Sequence, residues 1–249
     1  MTSAFRDHFS GHAADYREFR PAYPPELFAF LASLAPGHKL AWDCGTGNGQ
    51  AAVGLAEHFE RIFATDASTK QIQVAERHPK IEYAIASAEC CPLPDACVDL
   101  VLVAQALHWF DLDRFYSEVR RLCRPGGILV ATCYYEPGVN EEVNAVLSRY
   151  QELVHSCWPP GREWVDAGYR TIPFPFEELP KPTFDLTLES DLAGFLGYLG
   201  TWSATKVFIQ TNGRDPVERF ANEFAEAWGS PATRRTVRWQ FNVRIGRVA

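Results

Sequence analysis

The stretch Asp43-Cys44-Gly45-Thr46-Gly47-Asn48-Gly49 decides how this chain is read. It follows a short apolar run, Lys39-Leu40-Ala41-Trp42-Asp43, and precedes a helix expected over roughly 50–59. Glycine lets a backbone take φ > 0 and approach a ligand closely. Alternating glycines at a strand-to-helix turn fall where α/β sheets bind nucleotide-like ligands. The dinucleotide pattern G-x-G-x-x-G needs a third glycine where this chain has Gln50. A P-loop needs Gly-Lys-Ser/Thr, and none follows here.

Working outward, strands and helices alternate. Pro25 opens a helix over 25–35 with Leu27, Phe28, Leu31 and Leu34 on one face. After the glycine turn, Arg61–Asp66 reads as a second strand, and Ser68 caps a helix to about His78 that Pro79 closes. Ile81–Ala86 and Val98–Ala104 are the third and fourth strands. Asp111 caps a helix bearing Phe115, Val119 and Leu122, Arg124-Pro125-Gly126-Gly127 ends it, and Ile128–Tyr135 is the fifth strand. Apolar runs separated by helices mark a parallel sheet covered on both faces, so the fold class is α/β, doubly wound.

Beyond Tyr135 the rhythm breaks. Asn140 caps an amphipathic helix over 141–157. Six prolines within 158–182 argue against regular structure there. Helices are expected over 190–199 and from Asp215 to Gly229. Val237, Trp239, Phe241, Val243 and Ile245 alternate with polar residues, as in an antiparallel strand with one wet face. Its arginines read as that solvated face.

Composition narrows the function classes. The 249 residues are 47% hydrophobic and 22% charged, a soluble globular balance with enough material for a sizeable core. The net charge of −7 disfavours a nucleic-acid partner. No apolar run reaches the ~20 residues that span a bilayer, and Met1–His8 has no secretory h-region. Seven cysteines with no Cys-x-x-Cys fit neither a metal site nor a disulfide framework, so we expect a reduced, cytoplasmic protein without a metal.

Asp66 stands 21 residues beyond Gly45, at the end of the second strand. A carboxylate there can accept both hydroxyls of a ribose. An adenosine without phosphates fits, which points to S-adenosylmethionine (SAM). The stretch 39–135 resembles the class I SAM-dependent methyltransferases of the type 11 group. Asp43-x-Gly45-x-Gly47-x-Gly49 matches that family's first motif, with Thr46 inside it. Asp66 matches the ribose ligand, Ser87-Ala88-Glu89 the adenine contacts, and Arg124-Pro125-Gly126-Gly127 the approach to the fifth strand. Arg20-Pro21-Ala22-Tyr23-Pro24, Ala106–Asp111 and Tyr198–Ala204 are similar to the trans-aconitate methyltransferase-like branch. The resemblance implies one domain over 1–249 and a seven-stranded, mostly parallel sheet with a core at 38–135. It also implies a helical cap at about 136–230 and closing strands at about 183–188 and 236–246.

It further implies a methyl transfer by in-line displacement from a sulfonium to a small molecule, with a carboxylate as the candidate acceptor. Holding nucleophile and methyl together can supply roughly 7–11 kcal/mol. A hydroxyl acceptor would want a base, whereas a carboxylate needs none at neutral pH. Gln105-Ala106-Leu107-His108-Trp109 should face the reacting methyl. We assign Gln105 to the cofactor, His108 to catalysis as a base or a cation, and Trp109 to the substrate wall. Arg20 is assigned to the cofactor's carboxylate, with a substrate carboxylate as the alternative, and Tyr16, Tyr23 and Trp202 to the substrate. His155, Trp158 and Trp164 are weaker cap candidates, and nothing near Cys44 makes it a nucleophile. The alternatives are an NAD-dependent dehydrogenase, a SAM-binding module without catalysis, and a nucleic-acid methyltransferase. The last is disfavoured by charge and by the lack of Asn/Asp-Pro-Pro-Tyr after the fourth strand.

Overall fold

The computed structural model describes residues 19–249. Tyr16 lies outside the described residues. Ten-residue α1 (Pro25–Leu34) leads into β1 (Leu40–Cys44), α2 (Gln50–Ala56), β2 (Arg61–Asp66), α3 (Thr69–Val74), β3 (Ile81–Ile85) and β4 (Val98–Ala104). Then come a 3-10 turn (Leu107–Trp109), α4 (Leu112–Leu122), β5 (Cys123–Gly138), α5 (Glu141–Val154) and a second 3-10 turn (His155–Cys157). The remaining elements are α6 (Arg162–Asp166), β6 (Glu177–Glu178), β7 (Leu186–Ser190), α7 (Leu192–Gly200), α8 (Ser203–Asn212), α9 (Pro216–Trp228) and β8 (Arg235–Arg247).

The expected caps form: Ser68, Asp111, Asn140 and Asp215 each accept a hydrogen bond from a backbone N–H of the first helical turn, and Asp191 does the same for α7. The sheet order is β3-β2-β1-β4-β5-β8-β6, with β7 also paired to β8. β8 runs antiparallel to β5, β6 and β7, and the other recorded pairings are parallel. Among the described residues the sheet therefore has eight strands rather than seven, because β6 and β7 share the outer edge of β8. The closing strands at 183–188 and 236–246 are found at Leu186–Ser190 and Arg235–Arg247.

Alternate residues of the central strands go to opposite faces. Ala41, Leu100, Leu102, Ile128 and Val130 pack with Leu27, Leu31 and Leu55 from α1 and α2. Trp42, Val101, Val103, Leu129 and Ala131 pack with Phe115, Val119 and Leu122 of α4. A third cluster joins α5, α7 and α9 to the far end of β8, with Tyr150, Phe195, Phe224, Trp228 and Trp239 at its heart.

Three local expectations are corrected. Helix α3 stops at Val74, short of His78, because the chain is drawn toward the glycine turn: Glu76 N–H donates to Asn48 O, and Tyr83 Oη donates to Glu76 O. The proline-rich 158–182 stretch holds α6 and β6. The arginines of β8 are not all solvated. Arg244 is 14% exposed, donates from Nη1 to the carbonyls of Tyr169 and Ile172, pairs with Glu178, and lies over Phe174. The prolines leave room for only a two-residue ladder at Glu177–Glu178, and Arg244 holds the chain beside it. Helix α8 escaped the sequence reading, since only Ser203, Ala204 and Thr205 of its residues are buried and its periodicity is weak.

Candidate functional site

The glycine turn is built from backbone. Gly45 and Thr46 both donate N–H to Thr65 O, tying the turn to the neighbouring strand. Gly45, at φ +71, passes so close to the next layer that a Cβ would stand 2.7 Å from Ala106 Cβ. Gly47 and Gly49 are also left-handed, and Gly49 is the N-cap of α2. Asp43 is fully buried under the turn, and its Oδ2 accepts from Thr46 Oγ1 at 2.5 Å. Its Oδ1 completes no hydrogen bond, although the N–H of Ala52 lies nearby. Burial raises this carboxyl to about 7, against the stabilising Thr46 bond. Asp66 closes β2, its two oxygens accepting from the N–H groups of Gly47 and Ser68 at 2.9 and 2.8 Å.

These residues line a cleft of about 1260 Å³, larger than one drug-sized ligand needs. Gly45, Thr46, Gly47, Asp66, Ser87, Ala88, Glu89 and Gln105 are all on its wall, as are Tyr23 and Trp164. Asp43 and Gly49 are not; they shape the turn from behind. Glu89 Oε1 accepts from Asp111 N–H, holding the start of α4 to the cleft rim.

A second, smaller cavity of about 70 Å³ adjoins it. Gln105, His108, Trp109, Tyr134, Trp158 and Pro159 line both. Gln105 leaves β4 at φ +58, and its side-chain amide takes over strand pairing: Oε1 accepts from Tyr134 N–H and Nε2 donates to Tyr134 O. Its amide is thus engaged with β5 rather than turned to a ligand. Glu136, the bulged residue of β5 at φ +44, also reaches this cavity. Left-handed non-glycine residues cost about 1–3 kcal/mol each and gather at sites. Of the four among the described residues, Gln105 and Glu136 line this cavity and Tyr169 stands behind it.

Arg20, expected among the cofactor residues, lines the smaller cavity and not the cleft. It donates to Thr201 Oγ1 at 2.9 Å and to Tyr134 Oη at 3.1 Å, and lies over the Tyr198 ring. Trp202 is buried in the same wall, in contact with Tyr150, Trp158 and Tyr198. Arg162, stacked on Trp158 at 3.9 Å and paired with Asp166 at 2.6 Å, supplies a second guanidinium. Tyr23, expected at the substrate, faces the larger cleft and packs on Tyr134, Phe28 and Phe241. His155 reaches neither cavity.

His108 is corrected in part. Burial, reinforced by the nearby Arg162 charge, lowers its imidazole to about 3, so it is neutral at pH 7 and supplies no cation. Its Nδ1 is 2.7 Å from Tyr169 Oη. Cys44 is buried and its thiol is pushed well up, as suits a core residue. Sequence reading missed Arg162, Tyr169, Glu136 and Tyr134. The first two stand in the proline-rich stretch, and the others look like ordinary strand residues. A guanidinium-aromatic pair, Trp158 and Arg162 at i and i+4, was the available signal.

The comparisons agree with this geometry. The family model described as a methyltransferase domain matches residues 42–131. A candidate methyltransferase of Dictyostelium discoideum is 33% identical over 229 residues, 90% of this chain and 87% of that one. An uncharacterised methyltransferase of Mycobacterium bovis is 38% identical over 133 residues, 52% of this chain and 54% of that one. The solved structure of a candidate type II methyltransferase from Anaeromyxobacter dehalogenans matches with a TM-score of 0.86 at 47% identity, covering 92% of this chain and 98% of that one. The chain belongs to the class I SAM-dependent methyltransferases. It is an enzyme of that class, and SAM is its cofactor. The names of these relatives do not reach the trans-aconitate branch. No described helix is long and apolar enough to cross a membrane.

Proposed function

We propose that the chain transfers a methyl group to a small carboxylate held in the smaller cavity. The carrying observation is the pairing of Arg20 and Arg162 in an aromatic wall that shares His108 and Trp109 with the glycine-turn cleft. Two guanidiniums favour an anion, and Trp158, Tyr198 and Trp202 favour an apolar body.

The cleft fits the cofactor. Asp66 is held by two backbone N–H groups at the strand end and suits a ribose, Ser87-Ala88-Glu89 suit the adenine, and the turn at Gly45–Gly47 leaves room for close approach. When bound, SAM supplies an electrophilic methyl on a sulfonium. The chain's residues do the rest. Arg20 and Arg162 orient the acceptor, the aromatic walls exclude water, and the Gln105–Tyr134 clamp keeps the two cavities in fixed relation. Asp43 holds the turn through Thr46. A reducing compartment such as the cytoplasm suits seven unpaired thiols, and the acidic balance suits a small molecule over nucleic acid.

Incubation with methyl-labelled SAM and panels of small carboxylic acids, phenols and amines tests this. Label in a hydroxide-labile methyl ester of an acid is expected. Transfer to phenols or amines alone would overturn the carboxylate reading.

A further inference from the structure

The link between His108 and Tyr169 has a direction. The Tyr169 side chain is fully buried, and its hydroxyl makes one side-chain hydrogen bond, to His108 Nδ1 at 2.7 Å. A phenol has a single proton, and a buried O–H without an acceptor costs roughly 1–3 kcal/mol. Nδ1 is the acceptor on offer. Were Nδ1 protonated, it would donate to the phenol oxygen while the phenol's own proton had nowhere to go. Tyr169 therefore donates, and the proton of the neutral imidazole sits on Nε2.

The surroundings hold this arrangement. Gly168 and Tyr169 are consecutive left-handed residues at φ +60 and +58. Tyr169 N–H donates to Trp164 O, and its carbonyl accepts from Arg244. On the other side Gly161, at φ +89, lies so close that a Cβ would be 2.7 Å from His108 O. His108 lines both cavities, and Nε2 is its remaining polar ring atom.

We propose that Tyr169 is a positioning residue that fixes His108 as an Nε2–H hydrogen-bond donor to the methyl acceptor, so that the acceptor must arrive with its oxygen already ionised. This rests on the small-acceptor reading above and narrows it: His108 takes no proton from the acceptor, and an acceptor that arrives ionised needs none taken. Arg20, Arg162 and Glu136 line the same cavity as His108, and Arg162 pairs with Asp166 at 2.6 Å. The Arg162 guanidinium beside His108 disfavours an imidazolium.

The test reads the tautomer directly, on the full chain without acceptor. Ring 15N spectra of the histidines are recorded from pH 5 to 8, with His108 assigned by its loss in His108→Gln. The expected wild-type result is a protonated Nε2 and an unprotonated Nδ1 throughout. In Tyr169→Phe, Nδ1–H signal or a titration within that range is expected. An Nδ1–H tautomer in the wild type, or wild-type titration of His108 between pH 5 and 8, would overturn the proposal. The wild-type spectrum decides even if Tyr169→Phe fails to fold. Turnover gives the second readout. His108→Gln keeps an N–H donor and should retain kcat/KM within about 10-fold, whereas His108→Leu should lose more than about 30-fold. Equal loss in both, with a wild-type rate rising through an ionisation at pH 6–7, would make His108 a base. A wrong acceptor class would show in the labelled-SAM panel and leave the tautomer result untouched.

Discussion

The two cavities are made in different ways. The floor of the glycine-turn cleft comes from one short, contiguous motif plus three strand ends, with Tyr23, the 156–164 stretch and Val207 closing its outer side; the floor's key contacts are backbone N–H groups on Thr65 O and on Asp66. The smaller cavity comes from side chains of five separated segments: Arg20, the 105–109 turn, Tyr134–Glu136, Trp158–Val165 and Tyr198–Ser203. The first fixes a shape that nearly any member of the class could share. The second leaves each wall residue open to change, so specificity belongs there.

Breaking the cleft should have the largest effect. Asp66→Ala removes the carboxylate that ties Gly47 to Ser68, and SAM affinity by calorimetry should fall by roughly 100-fold or more, about 2.7 kcal/mol. Unchanged affinity would remove Asp66 from the cofactor site.

Asp43 gives a pH test of the same region. Its carboxyl is raised in the folded state, so the folded protein holds a proton that the unfolded chain releases. The penalty is absent below about pH 4, grows by roughly 1.4 kcal/mol per pH unit toward pH 7, and is complete above it. Asp43→Asn, read by urea unfolding without SAM, should match wild type near pH 4 and exceed it above pH 7. Equal pH dependence of the two proteins would contradict the buried-carboxyl account.

A matched pair of glycine substitutions compares the regions. Gly45→Ala and Gly161→Ala each force a Cβ into a left-handed residue and to within 2.7 Å of a neighbour, so each should cost about 1–3 kcal/mol of stability. Only Gly45→Ala should also weaken SAM markedly. Gly161→Ala presses on the backbone of His108 and should raise the acceptor KM instead.

This division also explains what was legible in sequence. The turn could be read because φ > 0 demands glycine at Gly45, Gly47 and Gly49, and because Asp66 must end its strand. The alternating β8 and the caps Ser68, Asp111, Asn140 and Asp215 could be read from local chemistry. The extra strand β6 could not, since two residues carry no period, and its pairing to Arg247 and Gly246 is set by β8. The cap residues were harder. Trp202 was identified, but Arg162 and Tyr169 stand among prolines that argue for irregular chain, and irregular backbone can still be tightly held by Arg244. Arg20 was identified but given to the cofactor, because sequence cannot tell which of two adjoining anionic ends a guanidinium will face.

Arg20 therefore carries the most direct test. Arg20→Met keeps most of the stem and removes the charge. Calorimetric SAM affinity and acceptor KM measured on the same preparation should separate. We expect an acceptor KM raised about 10-fold, roughly 1.4 kcal/mol, with SAM affinity within about 2-fold of wild type. SAM affinity falling as far as the acceptor's, or falling alone, would contradict the division of the site into a backbone-built cofactor cleft and a side-chain-built acceptor cavity.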